Sequence, residues 1–196
     1  MIPSGDTTRR RPAIEAGIDV LDVVRAHYVN GQRVDLAVVA EQLGLARESI
    51  QLRFGSREAL LSEAIFEEFE FLMARKRAQA LGTGARWLLN VLDGVNRSLS
   101  RSTALRRLLE HEQRMGLKLL TSSGGSVQPR VVASIQRLIT DQASVGAYLP
   151  TLRPDDLAYA LVRVMEAFLY DDAQAQVRGE HEPMREIQAA LLGIRL

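Results

Sequence analysis

The sequence predicts an all-α chain of about nine helices, and three observations carry that prediction. Apolar residues recur at three- and four-residue intervals, and no segment sustains the alternation of a half-buried strand. Aromatic residues are only 5% of the chain, and the apolar residues lean to Leu and Ala, which favours helices over sheets. A length of 196 residues with 46% hydrophobic content is enough to bury a sizeable core.

The elements follow in order. Residues 1–12 are polar, contain Pro3, Gly5 and Pro12, and carry Arg9, Arg10 and Arg11; they read as a flexible basic arm. From Ala13 to about Val29, Ile14, Ile18, Leu21, Val24 and Tyr28 form a helical stripe that Asn30-Gly31 stops. A short helix begins at Asp35, an N-cap type of residue, and runs through Val38, Val39 and Leu43 to Gly44. A second short helix covers roughly Ala46 to Arg53, ended by Phe54-Gly55-Ser56. Ser56 caps a long helix from Arg57 to about Leu81, with Leu61, Ile65, Phe69 and Leu72 on one stripe.

Gly82-Thr83-Gly84 is the clearest punctuation and places a domain junction, dividing residues 13–60 from residues 82–196 with the 57–81 helix as the link. Helices are then expected over 84–100 and 103–119, after which residues 121–129 form a Ser/Gly loop. The next helix carries Val131, Ile135, Leu138 and Ile139 and is closed by Leu149-Pro150. Roughly 155–172 follows, opened by Pro154 with Asp155-Asp156 as capping acids and ended by Asp171-Asp172 as a solvated terminus. The last helix is expected over 183–193.

Composition excludes several classes. With no Cys there is no disulfide, thiolate nucleophile or cysteine-based metal centre. The sequence has no Gly-rich phosphate loop, no nucleophile-elbow pattern and no His pair at metal spacing, so catalysis, a metal and a cofactor are not expected. No apolar run reaches the length of a membrane span, and the start lacks a signal-peptide core, so a soluble cytoplasmic protein is expected. The net charge of +1 conceals a local pattern, because Arg47, Arg53 and Arg57 face only Glu48 within residues 47–57. Acids such as Glu67, Glu68 and Glu70 balance them elsewhere.

The informative stretch is Val34 to Leu61. Two short helices joined by a Gly-containing turn, with a third helix before them, have the arithmetic of a helix-turn-helix whose second helix enters the DNA major groove. Ala40 is small where the two helices approach, and Leu43, Leu45, Ile50 and Phe54 are apolar where a three-helix core closes. Arg47, Ser49, Gln51 and Arg53 then remain to reach bases and phosphates.

These residues resemble the DNA-binding domain of the TetR family of transcriptional regulators. The family's pattern is a small residue in the first helix, Gly-hydrophobic-Ser, a short recognition helix ending in an aromatic, then a Gly/Asn-Ser/Thr-Lys/Arg-Glu-x-Leu run. Here it reads Ala40, Gly44-Leu45-Ala46, Phe54 and Gly55-Ser56-Arg57-Glu58-Ala59-Leu60, within a match over about residues 13–65. The resemblance implies that Arg57 holds a phosphate, that the partner is a double-stranded operator, and that the remainder binds a small-molecule effector and forms a homodimer. Residues 123–132 and the run Glu166 to Asp172 resemble the QsdR-like branch, whose members answer lactone-type signals. Two positions depart from the pattern. Gln51 stands where the family usually has Tyr, and can bond a phosphate or read adenine; Glu48 stands where a small residue is common, and could accept from a cytosine amino group.

In the C-terminal part, Trp87, Leu88, Val91, Met115, Tyr159, Met165 and Phe168 are candidates to line a ligand pocket, with Asn90, His111 and Glu166 to orient the ligand. Stripes at this spacing also serve as plain core. The last two helices have wide apolar faces that suit a four-helix dimer interface built from Leu157, Leu161, Phe168, Ile187 and Leu191. The expected function is a ligand-responsive repressor that binds a pseudo-palindromic operator as a homodimer. The competing reading is a helical ligand-binding or interaction protein whose DNA binding is weak or lost, supported by Glu48 and the missing Tyr.

Overall fold

The computed structural model describes residues 13–171, 176–177 and 181–195; the Arg9–Arg11 arm and Asp172 lie outside them. Nine helices occur among the described residues: α1 (Ala13–Val29), α2 (Leu36–Leu43), α3 (Arg47–Phe54), α4 (Arg57–Gln79), α5 (Gly84–Ser100), α6 (Thr103–Thr121), α7 (Gln128–Ser144), α8 (Pro154–Leu169) and α9 (His181–Leu191). None of them is long and apolar enough to cross a membrane.

Local chemistry explains where the early helices begin and end. Asp35 caps α2 by accepting from the Ala37 amide at 2.8 Å, and Ser56 caps α4 by accepting from Ala59 at 3.2 Å. Gly44 ends α2 in the left-handed region, at φ +62°, where a side chain would be strained. Gly84, at φ +58°, begins α5 against the chain entering α8: a Cβ there would lie 2.0 Å from the Ala147 carbonyl oxygen. The punctuation legible at Gly82-Thr83-Gly84 therefore marks a close backbone approach as well as a break between helices.

The long α4 packs on α1 and α3 near its start and on α5 and α7 further along. Helix α8 lies against α5, α7 and α9. One continuous apolar core runs from Val20 in α1 to Leu192 beyond α9. In its N-terminal part Val39 and Ala40 of α2, Ile50 of α3 and Leu60 and Leu61 of α4 are all buried.

Three features differ from the sequence expectation. Helix α8 stops at Leu169, and Tyr170-Asp171 pairs antiparallel with Gln176-Val177 (Tyr170 opposite Val177), so Asp171 belongs to a two-residue ladder and not to a helix end. Helix α7 ends at Ser144 and turns at Gly146, well before Leu149-Pro150. Helix α6 is broken at Glu112, whose φ of −139° and ψ of 45° are not helical. The break turns the two halves of α6 toward each other. A Cβ on Gly116 would lie 3.2 Å from the Leu108 side chain, although eight residues of straight helix span about 12 Å.

Candidate functional site

Two places in this fold carry chemistry: the outer face of α3, and a cavity enclosed by the C-terminal helices. Helix α3 is held by one deeply buried anchor, Ile50, with Phe54 half-buried at its end. The anchor fixes which residues point outward. Arg47, Glu48, Ser49, Gln51 and Arg53 are all exposed, and the Arg53 guanidinium lies 5.4 Å from the Phe54 ring centroid. Glu48 sits in the first turn of α3, where the helix dipole favours a carboxylate. Leu52 stands beside them at 91% exposed, an apolar side chain offered wholly to solvent. Sequence reasoning passed over Leu52 because a leucine in a short helix reads as core. Only the position of Ile50 shows that Leu52 faces outward.

Arg57 departs from its expected role. Its guanidinium runs inward from the first turn of α4, where Nε donates to the Val34 carbonyl and both terminal nitrogens engage Glu112, Nη1 reaching Oε2 at 2.7 Å. Met115 Sδ is 3.5 Å from the same nitrogen. The Arg57 and Glu112 side chains are only 18% and 15% exposed, so this guanidinium is committed to the protein interior and not presented to a phosphate. The physical reason is the break in α6, which sets a carboxylate opposite the start of α4.

The cavity has a volume of about 210 Å³. Its wall is drawn from six helices and the residue after α8. Ile65 and Phe69 come from α4, Leu99 from α5, Leu105 and Leu120 from opposite halves of α6, Val131 from α7, and Val162 and Met165 from α8. Tyr28 of α1, Tyr170, Glu68 and Glu166 add polar groups to this apolar wall. Glu166 is 5% exposed; it accepts from Gln128 Nε2 at 2.8 and 3.1 Å and from Arg163 Nη1 at 2.6 Å. Burial raises the Glu166 carboxyl above its ordinary pKa, against the lowering effect of Gln128 and Arg163. Burial also pushes both tyrosines well above the ordinary phenol value, helped at Tyr28 by Glu68 and at Tyr170 by Tyr28 and Glu166. Both remain neutral hydroxyl groups at physiological pH.

Of the ten candidate ligand residues, Met165 and Glu166 line this cavity. Leu88 and Val91 are buried in the core and Trp87 is half-buried, but all three belong to the first turns of α5, whereas the wall uses Ser98 and Leu99 near its end. Asn90 is exposed and donates to the Leu81 carbonyl at 3.1 Å. His111 is exposed in a crevice beside Gly31 and Arg33, and Met115 packs at Arg57. Tyr159 is 49% exposed and Phe168 half-buried, both off the face of α8 that forms the wall. Tyr28, Glu68 and Tyr170 escaped sequence reasoning, since a tyrosine on an apolar stripe reads as core and an acid in a charged run reads as solvated.

Two of the five candidate interface residues need correction. Leu157 and Leu161 are completely buried inside the protomer, because α8 is covered by α5, α7 and α9 and spends that face on its own core. They cannot meet a second copy. Phe168 and Leu191 are half-buried and Ile187 is 43% exposed.

Comparison with known proteins places this geometry. The structure of the R. erythropolis transcriptional repressor QsdR from the TetR family is similar, with a TM-score of 0.83 and 27% sequence identity, covering 94% of this chain and 98% of that one. Comparison with curated proteins finds no significant sequence match. Residues 83–193 match the tetracyclin repressor-like C-terminal domain. That match spans more than half of the chain, and the chain belongs to the TetR family of transcriptional regulators.

Proposed function

We propose that the protein is a ligand-responsive, DNA-binding transcriptional regulator: a homodimeric repressor that a small-molecule effector releases from a pseudo-palindromic operator. The observation that carries the reading is the outer face of α3, where Arg47, Ser49, Gln51, Leu52 and Arg53 project from a helix anchored by Ile50. Arg and Gln offer bidentate contacts to guanine and adenine, and Leu52 suits a thymine methyl. Residues 13–60 would then read DNA, α4 would link, and residues 82–196 would bind ligand and dimerise.

The outer residues of α8 and α9, Phe168, Ile187 and Leu191, are the proposed dimer contacts. Two-fold symmetry then sets the two α3 helices about one DNA turn or more apart.

The cavity is the proposed effector site. Leu105 and Leu120 lie in its wall on either side of the break at Glu112, and Glu112 holds Arg57, which in turn holds the Val34 carbonyl ahead of α2. Tyr28 lies both in the cavity wall and in the crevice that contains Val34 and Glu112. A ligand that shifts the two halves of α6 would thus tilt the helix-turn-helix. Effector and DNA would weaken each other by the same factor.

The test is retardation of the DNA flanking the protein's own gene across a salt series from about 50 to 200 mM. Specific, salt-steep binding that is lost in the Arg47→Ala, Gln51→Ala double variant is expected. A folded protein that retards no flanking fragment at low salt would overturn the regulator reading.

A further inference from the structure

The cavity wall combines an apolar lining with polar groups of an unusual balance. Tyr28 and Tyr170 are 7% and 9% exposed, and neither hydroxyl has a hydrogen-bond partner among the described residues. A buried hydroxyl left in that state costs stability unless something else supplies the partner. The same wall carries two carboxylates and, among the described residues that form it, no Lys, Arg or His. Each carboxylate is already paired with an arginine from outside the wall. Arg25 engages Glu68 through Oε2 at 3.0 Å, and Arg163 reaches Glu166 Oε2 at 2.6 Å.

These facts select a ligand by charge. An anion would lie beside two carboxylates with no cation to meet it. An ammonium group would enter an apolar space whose negative charges are already neutralised, so its own desolvation would go uncompensated. An uncharged head group escapes both costs. The tyrosine hydroxyls can donate to an acceptor oxygen, while Glu68 Oε1 and the tyrosine oxygens can accept from an N–H or O–H. The remaining wall, with Ile65, Phe69, Leu99, Val131 and Met165, suits an aliphatic or aromatic body. Size sets a further limit. About 210 Å³ lies below the ~300–1,000 Å³ of drug-sized pockets and above the ~150 Å³ that admits benzene, which corresponds to a ligand of about ten heavy atoms.

We propose that the cavity takes a small, uncharged, largely apolar molecule whose polar end carries both a carbonyl-type acceptor and a hydrogen-bond donor, held by Tyr28 and Tyr170. The inference rests on the reading of this cavity as the effector site, and it adds the chemical class.

Three chain-matched probes test it on the full-length protein at neutral pH: octanamide, octanoate and octylamine, with binding followed by calorimetry and operator release followed separately. Octanamide is expected to bind at least tenfold more tightly than either charged probe. Tyr28→Phe and Tyr170→Phe should each weaken octanamide binding about three- to tenfold, the loss of one neutral hydrogen bond. Both variants keep the ring and its packing, and circular dichroism verifies their fold. Equal or tighter binding of octanoate or octylamine would overturn the class, as would binding of none of the three. Octanamide binding that is unchanged in both variants would do the same. If octanamide binds through the tyrosines but leaves operator affinity unaltered, the class stands and the effector reading fails. If a charged probe alone releases the operator, the effector reading stands and the class falls.

Discussion

Arg57, at the start of α4, and Glu112, at the break in α6, form a two-pronged ion pair 55 residues apart in sequence. The same guanidinium donates to the Val34 carbonyl just ahead of α2. Three segments that share no local sequence are thereby tied together: the entry to the helix-turn-helix, the linking helix and the discontinuous α6. A bidentate arginine–carboxylate pair is directional as well as strong, so it fixes an angle between elements where a single contact would fix only a distance.

Breaking this pair should be costly. Arg57→Ala and Glu112→Ala are each expected to lower unfolding free energy by about 1–3 kcal/mol, since each strands a mostly buried charged partner. The double variant should lose less than the sum of the two. Urea denaturation of all four proteins measures the coupling; additive losses would show that the pair contributes no interaction energy.

Substitutions on α3 should separate binding from folding. Arg47→Ala and Gln51→Ala remove exposed side chains and are expected to leave thermal unfolding within about 0.5 kcal/mol of the parent. Each should weaken operator binding by about 1–3 kcal/mol if it makes a bidentate base contact. Leu52→Ala should likewise spare stability, since that side chain is 91% exposed, while discrimination at one thymine is lost. Ile50→Ala should instead unfold the helix-turn-helix, because Ile50 is 1% exposed and its removal leaves a cavity worth about 2–5 kcal/mol. Titration of operator variants alongside calorimetry distinguishes these outcomes.

The dimer surface yields an opposed pair of results. Ile187→Glu is expected to yield a folded monomer, since Ile187 lies on the outer side of α9 and is 43% exposed. Leu161→Glu should destroy the protomer itself, as it places an unpaired carboxylate at a fully buried core position. Sedimentation with circular dichroism tells the two apart, and a dimer that survives Ile187→Glu would move the interface elsewhere.

Acid titration probes the start of α4. The Glu58 carboxyl is held below its ordinary pKa of 4.5, first by the backbone amide and then by Ser56. A lowered folded pKa means that its contribution to stability is fully present above the ordinary value and is lost as pH falls through the folded value. Ser56→Ala removes the cap and should cost about 1 kcal/mol near neutral pH. It should also move the Glu58 titration back toward 4.5, which carboxyl-resolved NMR can follow; an unmoved titration would leave the backbone amide as the whole cause.

Periodicity and capping chemistry alone place most of the helices, because the residues responsible lie within one turn of what they control. Asp35, Gly44 and Ser56 act on amides and carbonyls a few positions away, and they mark the ends of α2 and the start of α4 as sequence reading expects. The outward set on α3 is legible for the same reason, since Ile50 and Phe54 fix the helix face. Arg57 is misread because its partner Glu112 is 55 positions distant and comes opposite only through a backbone break that no residue type announces. Leu157 and Leu161 look like interface residues until α5, α7 and α9 are seen to cover them; an apolar stripe records burial but not which surface does the burying. The cavity is least legible of all. Its wall takes one or a few residues from each of six helices, and whether Tyr28 closes a core or lines a binding site depends on how those helices pack.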